Sequence, residues 1–379
     1  MRLSLVDRML LRETLVPLGV GLLAIVQLLV LVQLLQLNEV VFGGAVRLGD
    51  LARVTAGLAP HFLAMAVPLA FVLAVQLGLG RLAADRELLA LSASGRSPLS
   101  LYRVPLAIAA VLCAGAFWLT GVAEPWGLKA LSRVLNAVIK RSLEEGLRPG
   151  LFNQGLPRFM VYVDKAGAQG SDWRGVLIED SLSDGPPLLA LARAGRLVDV
   201  AGETLALELT QGELHRIEPR AEDRNTERGE TYARFDSARF LVGVEDPVAH
   251  KNRFSDNEAM FSEGELLERA RRFEEQGDTV RAGRARLERA RRVAAPLATL
   301  AFVLLAVPLA LLAAGSRAAA YVTCVGAFAA FYTLSRVGQV AAEHGHAPWV
   351  MAFLPEIVIG GLGLVLSARL LRGGVGVIR

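Results

Sequence analysis

Cysteine is almost missing from this chain of 379 residues, which has only Cys113 and Cys324, both inside apolar stretches. No disulfide framework can hold its polar part together, and two such thiols read as small buried hydrophobes. Aromatic residues are scarce as well, at 6%. A nucleic-acid surface interleaves basic residues with aromatics for stacking, so nucleic acid is not an expected partner. There is no Gly-Lys-Ser or Gly-Lys-Thr step, hence no phosphate-cradling loop and no ATP site in the chain. A zinc-protease helix motif is missing too. The run Glu343-His344-Gly345-His346 puts two histidines two apart in a short loop, too little for a metal site. No catalytic residue, metal or bound cofactor is assigned.

Charge is also low. It stands at 21%, against about 25% in soluble domains, while 53% of residues are hydrophobic. Its distribution matters more than its total. Long charge-free stretches alternate with one polar block from about residue 124 to 292. A helix needs about 20 apolar residues to cross a bilayer core. Six stretches meet this: Thr14 to Asn38, Arg53 to Arg81, Arg103 to Glu124, Arg292 to Arg317, Ala318 to about Ala342, and about Ala347 to Ala368. The first is too long for a signal peptide and ends in Gln36-Leu37-Asn38-Glu39, so it reads as an uncleaved span.

Orientation follows from Lys/Arg in short loops. Arg2, Arg8 and Arg12 precede the first span; Arg81, Arg86 and Arg96 join the second to the third. Arg317 lies in the turn after the fourth, and Arg369, Arg372 and Arg379 close the chain. These segments share one side of a six-span topology. Both termini are therefore expected to be cytoplasmic and the polar block to be outside, in a multi-pass membrane protein.

Within that block Phe159, Val161 and Val163 alternate with Met160 and Tyr162, and Leu205, Leu207 and Leu209 alternate with polar or small residues. Period two of this kind marks half-buried strands. Asp184-Gly185-Pro186-Pro187, Ala201-Gly202 and Gln211-Gly212 read as turns, with further strands at 175–180, 188–199, 212–218 and 232–244. Several short strands at that spacing suggest a sandwich or a jelly roll. Ser262-Glu263-Gly264-Glu265 fits a capping box opening a charged helix that leads through Arg289 and Arg292 into the fourth span. Its arginines either snorkel to headgroups or meet the phosphates of an anionic lipid. The expected architecture is an α-helical polytopic membrane protein with an inserted β domain. Residues 1–123 form the first three spans, 124–261 an outside, jellyroll-like domain, and 262–379 a linker helix with the last three spans.

The segment from Gly80 to Pro98 carries the most information. It reads as a short cytoplasmic helix, about 82–95, with an apolar stripe at Leu82, Leu88, Leu89 and Leu91. Asp85 and Glu87 sit near its start, Gly95 stops it, and Pro98 opens the next span. Such a helix either fits a groove of a partner or lies on the membrane surface.

At these residues the chain resembles the LptF/LptG permeases of the lipopolysaccharide exporter. Arg81-Leu82, Asp85-Arg86-Glu87-Leu88-Leu89-Ala90-Leu91, Ser94-Gly95 and Ser97 read like that family's loop after the second span. Arg12-Glu13-Thr14-Leu15 resembles its opening. Ile178-Glu179-Asp180, Ala192-Arg193-Ala194-Gly195 and Leu207-Glu208-Leu209-Thr210-Gln211-Gly212 resemble its periplasmic jellyroll strands, and Glu288, Arg292, Pro296 and Pro308 its entry to the fourth span. The opening and Pro125-Trp126 are closer to LptF than to LptG.

The resemblance implies a permease subunit of an ABC exporter that moves lipopolysaccharide from the inner membrane to a periplasmic bridge. Its implied partners are a sister LptG/LptF permease, an LptB-type ATPase dimer that holds the ATP and Mg, an LptC-type periplasmic protein, lipopolysaccharide and membrane lipids. Arg81, Asp85, Glu87 and Leu88 would then form the ATPase-coupling helix, and Arg289, Arg292 and Arg336 the substrate path. Where some relatives carry a substrate-binding lysine at the outer end of the first span, this chain has Asn38 and Glu39.

Two intramembrane charges remain. Intramembrane charges usually pair or line a cavity, so Arg336 is expected either to pair with Glu356 or to face the cavity and bind a lipid A phosphate. Two other function classes compete: a membrane-anchored periplasmic lipid-binding scaffold that transports nothing, and an ion-driven transporter. The scaffold has no use for a cytoplasmic knob. The ion-driven transporter needs ionisable groups near the midplane, which only Glu356 approaches.

Overall fold

The computed structural model describes residues 4–36, 48–94, 97–146, 149–153, 159–167, 172–180, 188–200, 204–217, 230–241, 257–313, 316–344 and 346–373. Asn38, Glu39, Gly95, Arg96 and the turns at 184–187 and 201–202 lie outside them. Six described helices are long and apolar enough to cross a membrane, in the six stretches expected. The chain divides into two compact units. One comprises residues 1–30, 58–127 and 258–379, and the other 31–57 and 128–257.

The helical unit contains most of α1 (Leu5–Gln36) and α2 (Leu48–Ala84), a short α3 (Glu87–Ala93), and α4 (Ser100–Trp118). After the β strands come α6 (Glu263–Glu275), α7 (Thr279–Leu312), α8 (Arg317–Glu343), α9 (Pro348–Ala352) and α10 (Leu354–Gly373). In lipid there is little hydrophobic force between helices, so close packing of small residues and interhelical hydrogen bonds hold a bundle together. The central helix α7 shows the first device. Ala290, Ala294, Ala298, Phe302, Ala306 and Ala310 recur every fourth residue, each at most 1% exposed. One face of α7 is thus a ladder of methyl groups with one ring, which lets α4 and α10 lie close against it. At Gly363 of α10 a Cβ would stand 2.7 Å from the backbone of Leu304 and Leu305, so only glycine fits. The second device ties helices directly. Tyr102 Oη donates to Ser367 Oγ at 2.8 Å, and that hydroxyl donates to the Leu304 carbonyl at 2.8 Å.

The third span does not stop at Glu124. Five residues of π-helix, Leu119–Ala123, follow α4, and α5 (Glu124–Gly146) then continues the rod. The first strand therefore comes only at Phe152, while the compact unit that holds the sheet resumes at residue 128. Leu128, Leu131, Leu135 and Val138 are all buried and lie on one helical face, which is why this segment is helical. In the same unit Arg141 of α5 holds the buried Asp50 of α2 at 2.9 Å.

The strands β1 (Phe152–Asn153), β2 (Phe159–Ala166), β3 (Asp172–Asp180), β4 (Leu188–Val200), β5 (Thr204–Ile217) and β6 (Glu230–Leu241) form one antiparallel sheet in sequential order. The inserted β domain is present, and among the described strands every connection is between nearest neighbours. Val161, Val163, Val176, Ile178, Leu207 and Leu209 are buried, as the alternation requires.

Gln211-Gly212 is not a turn. Gln211 does take a left-handed φ of 55° and is skipped by both ladders, but β5 keeps the same register with β4 and β6 before and after it. The strands expected at 204–210 and 212–218 are one. A Cβ on Gly212 would meet the Leu191 carbonyl at 2.3 Å and the Phe235 ring at 2.4 Å. The aromatic ring covers the space that a side chain would fill. Gly212→Ala is expected to destabilise the sheet by about 1–3 kcal/mol, the usual range for overpacking. Faster amide exchange in β4 to β6, with α7 unchanged, would show it.

Exposed arginine–carboxylate clasps add to this sheet. Glu208 of β5 accepts from Arg196 of β4 at 2.7 Å and from Arg239 of β6 at 3.1 Å. Glu213 accepts from Tyr232 Oη at 2.8 Å and Arg234 at 3.1 Å. Hydrogen bonds from Arg196 and Arg239 hold the Glu208 carboxyl below the usual glutamate range, and those from Tyr232 and Arg234 do the same for Glu213. A carboxyl depressed in the folded state stabilises it above the unfolded value and loses that contribution as pH falls through the folded one. Glu208→Gln should therefore speed β6 amide exchange at neutral pH. Its effect should fade once the pH drops below the ordinary glutamate value of about 4.3.

Candidate functional site

The candidate coupling segment is built on the end of α2. The helix runs to Ala84, later than the start expected for a separate helix near residue 82. Arg86 then breaks it with a left-handed φ of 58°, and α3 covers only Glu87–Ala93. Backbone bonds carry the chain across the break: Asp85 donates to the Arg81 carbonyl at 2.9 Å, and Ala90 to that of Arg86 at 3.2 Å.

Side chains divide sharply here. Leu82 and Leu88 are 3% and 2% exposed and belong to the same apolar core as Leu10, Leu79 and Leu101, with Leu91 packed against it. Leu88 therefore seats α3 on the bundle and is not a free contact, a correction to its expected place on the partner face. Asp85 and Glu87 are exposed. Arg81 is exposed too, but pairs with Glu13 of α1 at 2.9 Å and lies 3.7 Å from Asp85. The result is a short helix pinned by leucine beneath and charged above, standing directly on a long transmembrane rod.

The arginines of α7 form a second group. Ser262 and Glu265 make both bonds of the expected capping box, at 3.4 and 2.6 Å, and so start α6. This helix and the residues before it supply partners to α7. Arg289 donates twice to Glu263, at 2.9 and 3.0 Å, and that carboxylate is well exposed. Arg284 holds Glu343 at 2.9 Å, Arg286 pairs with Glu274, and Arg291 holds Glu288 at 2.8 Å.

Arg292 differs from all of these. It is 5% exposed, donates to the carbonyls of Ala259 at 3.0 Å and Phe261 at 2.5 Å, and lies 3.5 Å from the buried Glu288. A guanidinium spent on two backbone carbonyls and a buried carboxylate fastens the segment before α6 to α7. It is not exposed to a substrate path, which corrects that expectation. Arg289 can exchange its exposed carboxylate for a phosphate at little cost, because exposed pairs contribute about 0–1 kcal/mol.

Among the described residues, no ion pair joins Arg336 to Glu356 in the last two spans. Arg336 Nε donates to Tyr332 Oη at 2.9 Å, and its Nη1 to Gln339, one turn along on α8. Glu356 Oε2 is buried with no hydrogen-bond partner among the described residues. Neighbours on its own helix hold Arg336, because tyrosine and glutamine sit at the i−4 and i+3 positions that a guanidinium reaches. The motif at 343–346 is likewise engaged: Glu343 is taken by Arg284, and His344 Nδ1 lies 2.7 Å from the Val340 carbonyl.

One buried pair escaped sequence reasoning. His61 of α2 and Glu124, 3% and 5% exposed, meet at 2.7 Å between Nδ1 and Oε1. The π-helical segment stands just before Glu124. Within it Thr120 Oγ1 donates to the carbonyls of Ala116 at 3.0 Å and Arg292 at 3.3 Å. A signal was present, since His61 and Glu124 stand at corresponding ends of adjacent spans.

With the geometry in place, comparison with known proteins narrows the reading. The family described as lipopolysaccharide export system permease LptF/LptG matches residues 8–369, nearly the whole chain. No individual curated protein matches.

Proposed function

The chain belongs to the LptF/LptG family of lipopolysaccharide export permeases, a multi-pass inner-membrane transporter subunit, and on that premise we propose that it is the membrane half of an ABC exporter. In this reading it pairs with a sister permease, and the two form a cavity that receives lipopolysaccharide from the outer leaflet of the inner membrane. An LptB-type ATPase dimer binds and hydrolyses ATP with Mg. Closure of the cavity expels the lipid towards an LptC-type protein and the periplasmic bridge. The termini and α3 are cytoplasmic; the β domain is periplasmic. The nearly uncovered apolar faces of α1 and α8 suit lipid or a sister permease.

The observation that carries the proposal is α3 itself. A partner's motion is transmitted only if the receiving element is rigid and its contact is held by specific pairing. Leu82 and Leu88 supply the rigidity, and Glu87 supplies an exposed charge at the start of the helix. Glu87→Ala removes charge without touching the buried leucines. Breaking a buried interfacial charge pair costs about 2 kcal/mol or more, roughly 30-fold in affinity. Co-purification of the detergent-solubilised chain, sister permease and ATPase should accordingly succeed for wild type and fail or weaken for Glu87→Ala. If wild type captures no ATPase even with its sister present, the exporter reading fails and a periplasmic lipid-binding scaffold takes its place.

In the substrate path, Arg336 is the cation we assign to a lipid A phosphate, with Arg289 near the membrane surface. The bonds from Arg336 to Tyr332 and Gln339 stay within α8, and Arg336→Ala should leave folded yield intact and lower lipopolysaccharide binding. Equal loss of both would remove it from the path.

A further inference from the structure

Where α1 begins, a cavity of about 460 Å³ opens between α1, the last turns of α2 and the start of α8. Three membrane boundaries meet there. Glu13 is the last charge before the apolar run of α1, Arg81 closes that of α2, and α8 starts at Arg317. The Glu13–Arg81 pair at 2.9 Å ties the first two boundaries together, so the mouth lies at headgroup depth. Asp85 completes the mouth, 3.7 Å from Arg81, while Pro17 and Tyr321 line the walls.

Deeper in the same cavity lies Gln76, which is fully buried. Its Oε1 accepts from Thr323 Oγ1 at 3.1 Å, but its Nε2 has no hydrogen-bond partner among the described residues. A buried donor left unsatisfied is costly, the more so at membrane depth. The cavity thus presents an unused N–H donor inside and two carboxylates against one guanidinium at its mouth. A simple anion is repelled by that mouth. A lone cation satisfies the mouth but leaves Gln76 without an acceptor.

We propose that this cavity binds the headgroup of a zwitterionic phospholipid carrying a primary ammonium, of the phosphatidylethanolamine type. The order of polar groups matches. The ammonium, outermost in such a lipid, donates to Glu13 and Asp85. A phosphate or ester oxygen, one step deeper, accepts from Gln76 Nε2. The acyl chains continue along the uncovered side chains Val16 and Val20 of α1 and Val325 of α8. A lysine from a partner protein supplies only the first of these contacts, which is why a lipid is the better occupant. The proposal does not depend on the exporter reading.

The full chain, purified in mild detergent and equilibrated with equimolar phosphatidylethanolamine, phosphatidylcholine and phosphatidylglycerol, tests this by native mass spectrometry. Phosphatidylcholine has no ammonium N–H, and phosphatidylglycerol has no cation. Wild type should retain one phosphatidylethanolamine in preference to either by about tenfold, the scale of one charge-assisted hydrogen bond. Gln76→Leu and Asp85→Asn should each bring that ratio towards one, and Gln76→Leu should not lower folded yield because it removes the unsatisfied group. Equal retention of the three lipids by wild type, as a merely water-filled cavity would give, overturns the proposal. So does a preference for phosphatidylglycerol, or a wild-type preference that both variants keep.

Discussion

Arg292→Met is expected to abolish most of the folded, monodisperse protein, whereas Arg289→Met, three residues away on the same helix, should leave it unchanged. The difference lies in what each guanidinium touches. Arg289 serves the well-exposed carboxylate of Glu263, and removing it costs no more than an exposed pair contributes, about 0–1 kcal/mol. Arg292 is buried, and its loss leaves the Ala259 and Phe261 carbonyls without this donor, while Glu288 keeps Arg291 as its cation. Each buried carbonyl left unsatisfied costs about 1–3 kcal/mol. That is a large part of the stability of an ordinary domain. Folded yield by gel filtration and thermal unfolding in detergent measure the effect. If Arg292→Met folds like wild type and loses lipopolysaccharide binding instead, Arg292 belongs to the substrate path after all.

The contrast between these two arginines marks the limit of sequence reasoning about this site. Both stand in one basic run, and composition gives them the same standing. What separates them is the segment before α6, whose carbonyls reach only Arg292. No local pattern announces a contact of that kind. The same holds for Arg336: its distance from Glu356 along the chain suggested a pair across adjacent spans, yet Tyr332 and Gln339 on its own helix satisfy it first. Leu88 illustrates the reverse case. Its place in an apolar stripe was evident, but which side of the stripe faces the chain's own core depends on the break at Arg86.

Much of the fold was readable because the bilayer leaves few solutions. An apolar run of about twenty residues has few solutions in lipid besides a helix, and six such runs, two of them with one charge each at Arg336 and Glu356, became six helices. Strand alternation was equally direct at Val161, Val163, Leu207 and Leu209. Boundaries were harder. Glu124 read as the end of a span because an acid is expensive in lipid, and Gln211-Gly212 read as a turn because glycine follows a polar residue. The first is helical because a buried partner and the apolar face at Leu128, Leu131, Leu135 and Val138 continue the rod. The second stays inside the strand, despite the left-handed φ of Gln211, because β4 and β6 pair with β5 at Thr210 and Gly212 on either side of it.

Glu124→Ala should be nearly as damaging as the loss of Arg292, while Glu124→Gln should be mild. His61 Nδ1 and Glu124 Oε1 meet at 2.7 Å in a site almost closed to solvent. Truncation to alanine leaves His61 with an unused ring nitrogen and a void beside it. An unsatisfied buried polar group costs about 1–3 kcal/mol, and the missing side-chain volume adds to this. Glutamine keeps an oxygen in the same place and lets His61 donate to it, so only the charge is lost. The sharper consequence concerns the π-helical segment before Glu124. A π-turn carries an extra residue and persists only where side-chain contacts hold it. Here Thr120 is tied to the Arg292 carbonyl on one side and Glu124 to His61 on the other. Releasing Glu124 lets Leu119–Ala123 relax towards ordinary α geometry, which turns every later residue of α5 by about 100°. In the wild type Arg141 of α5 holds Asp50 of α2, and faster amide exchange around Asp50 reads the loss of that contact. Slow exchange there in wild type and Glu124→Gln, and faster exchange in the Glu124→Ala protein that folds, is the expected result. Unchanged exchange in Glu124→Ala would mean that the pair stabilises the helices without setting their phase.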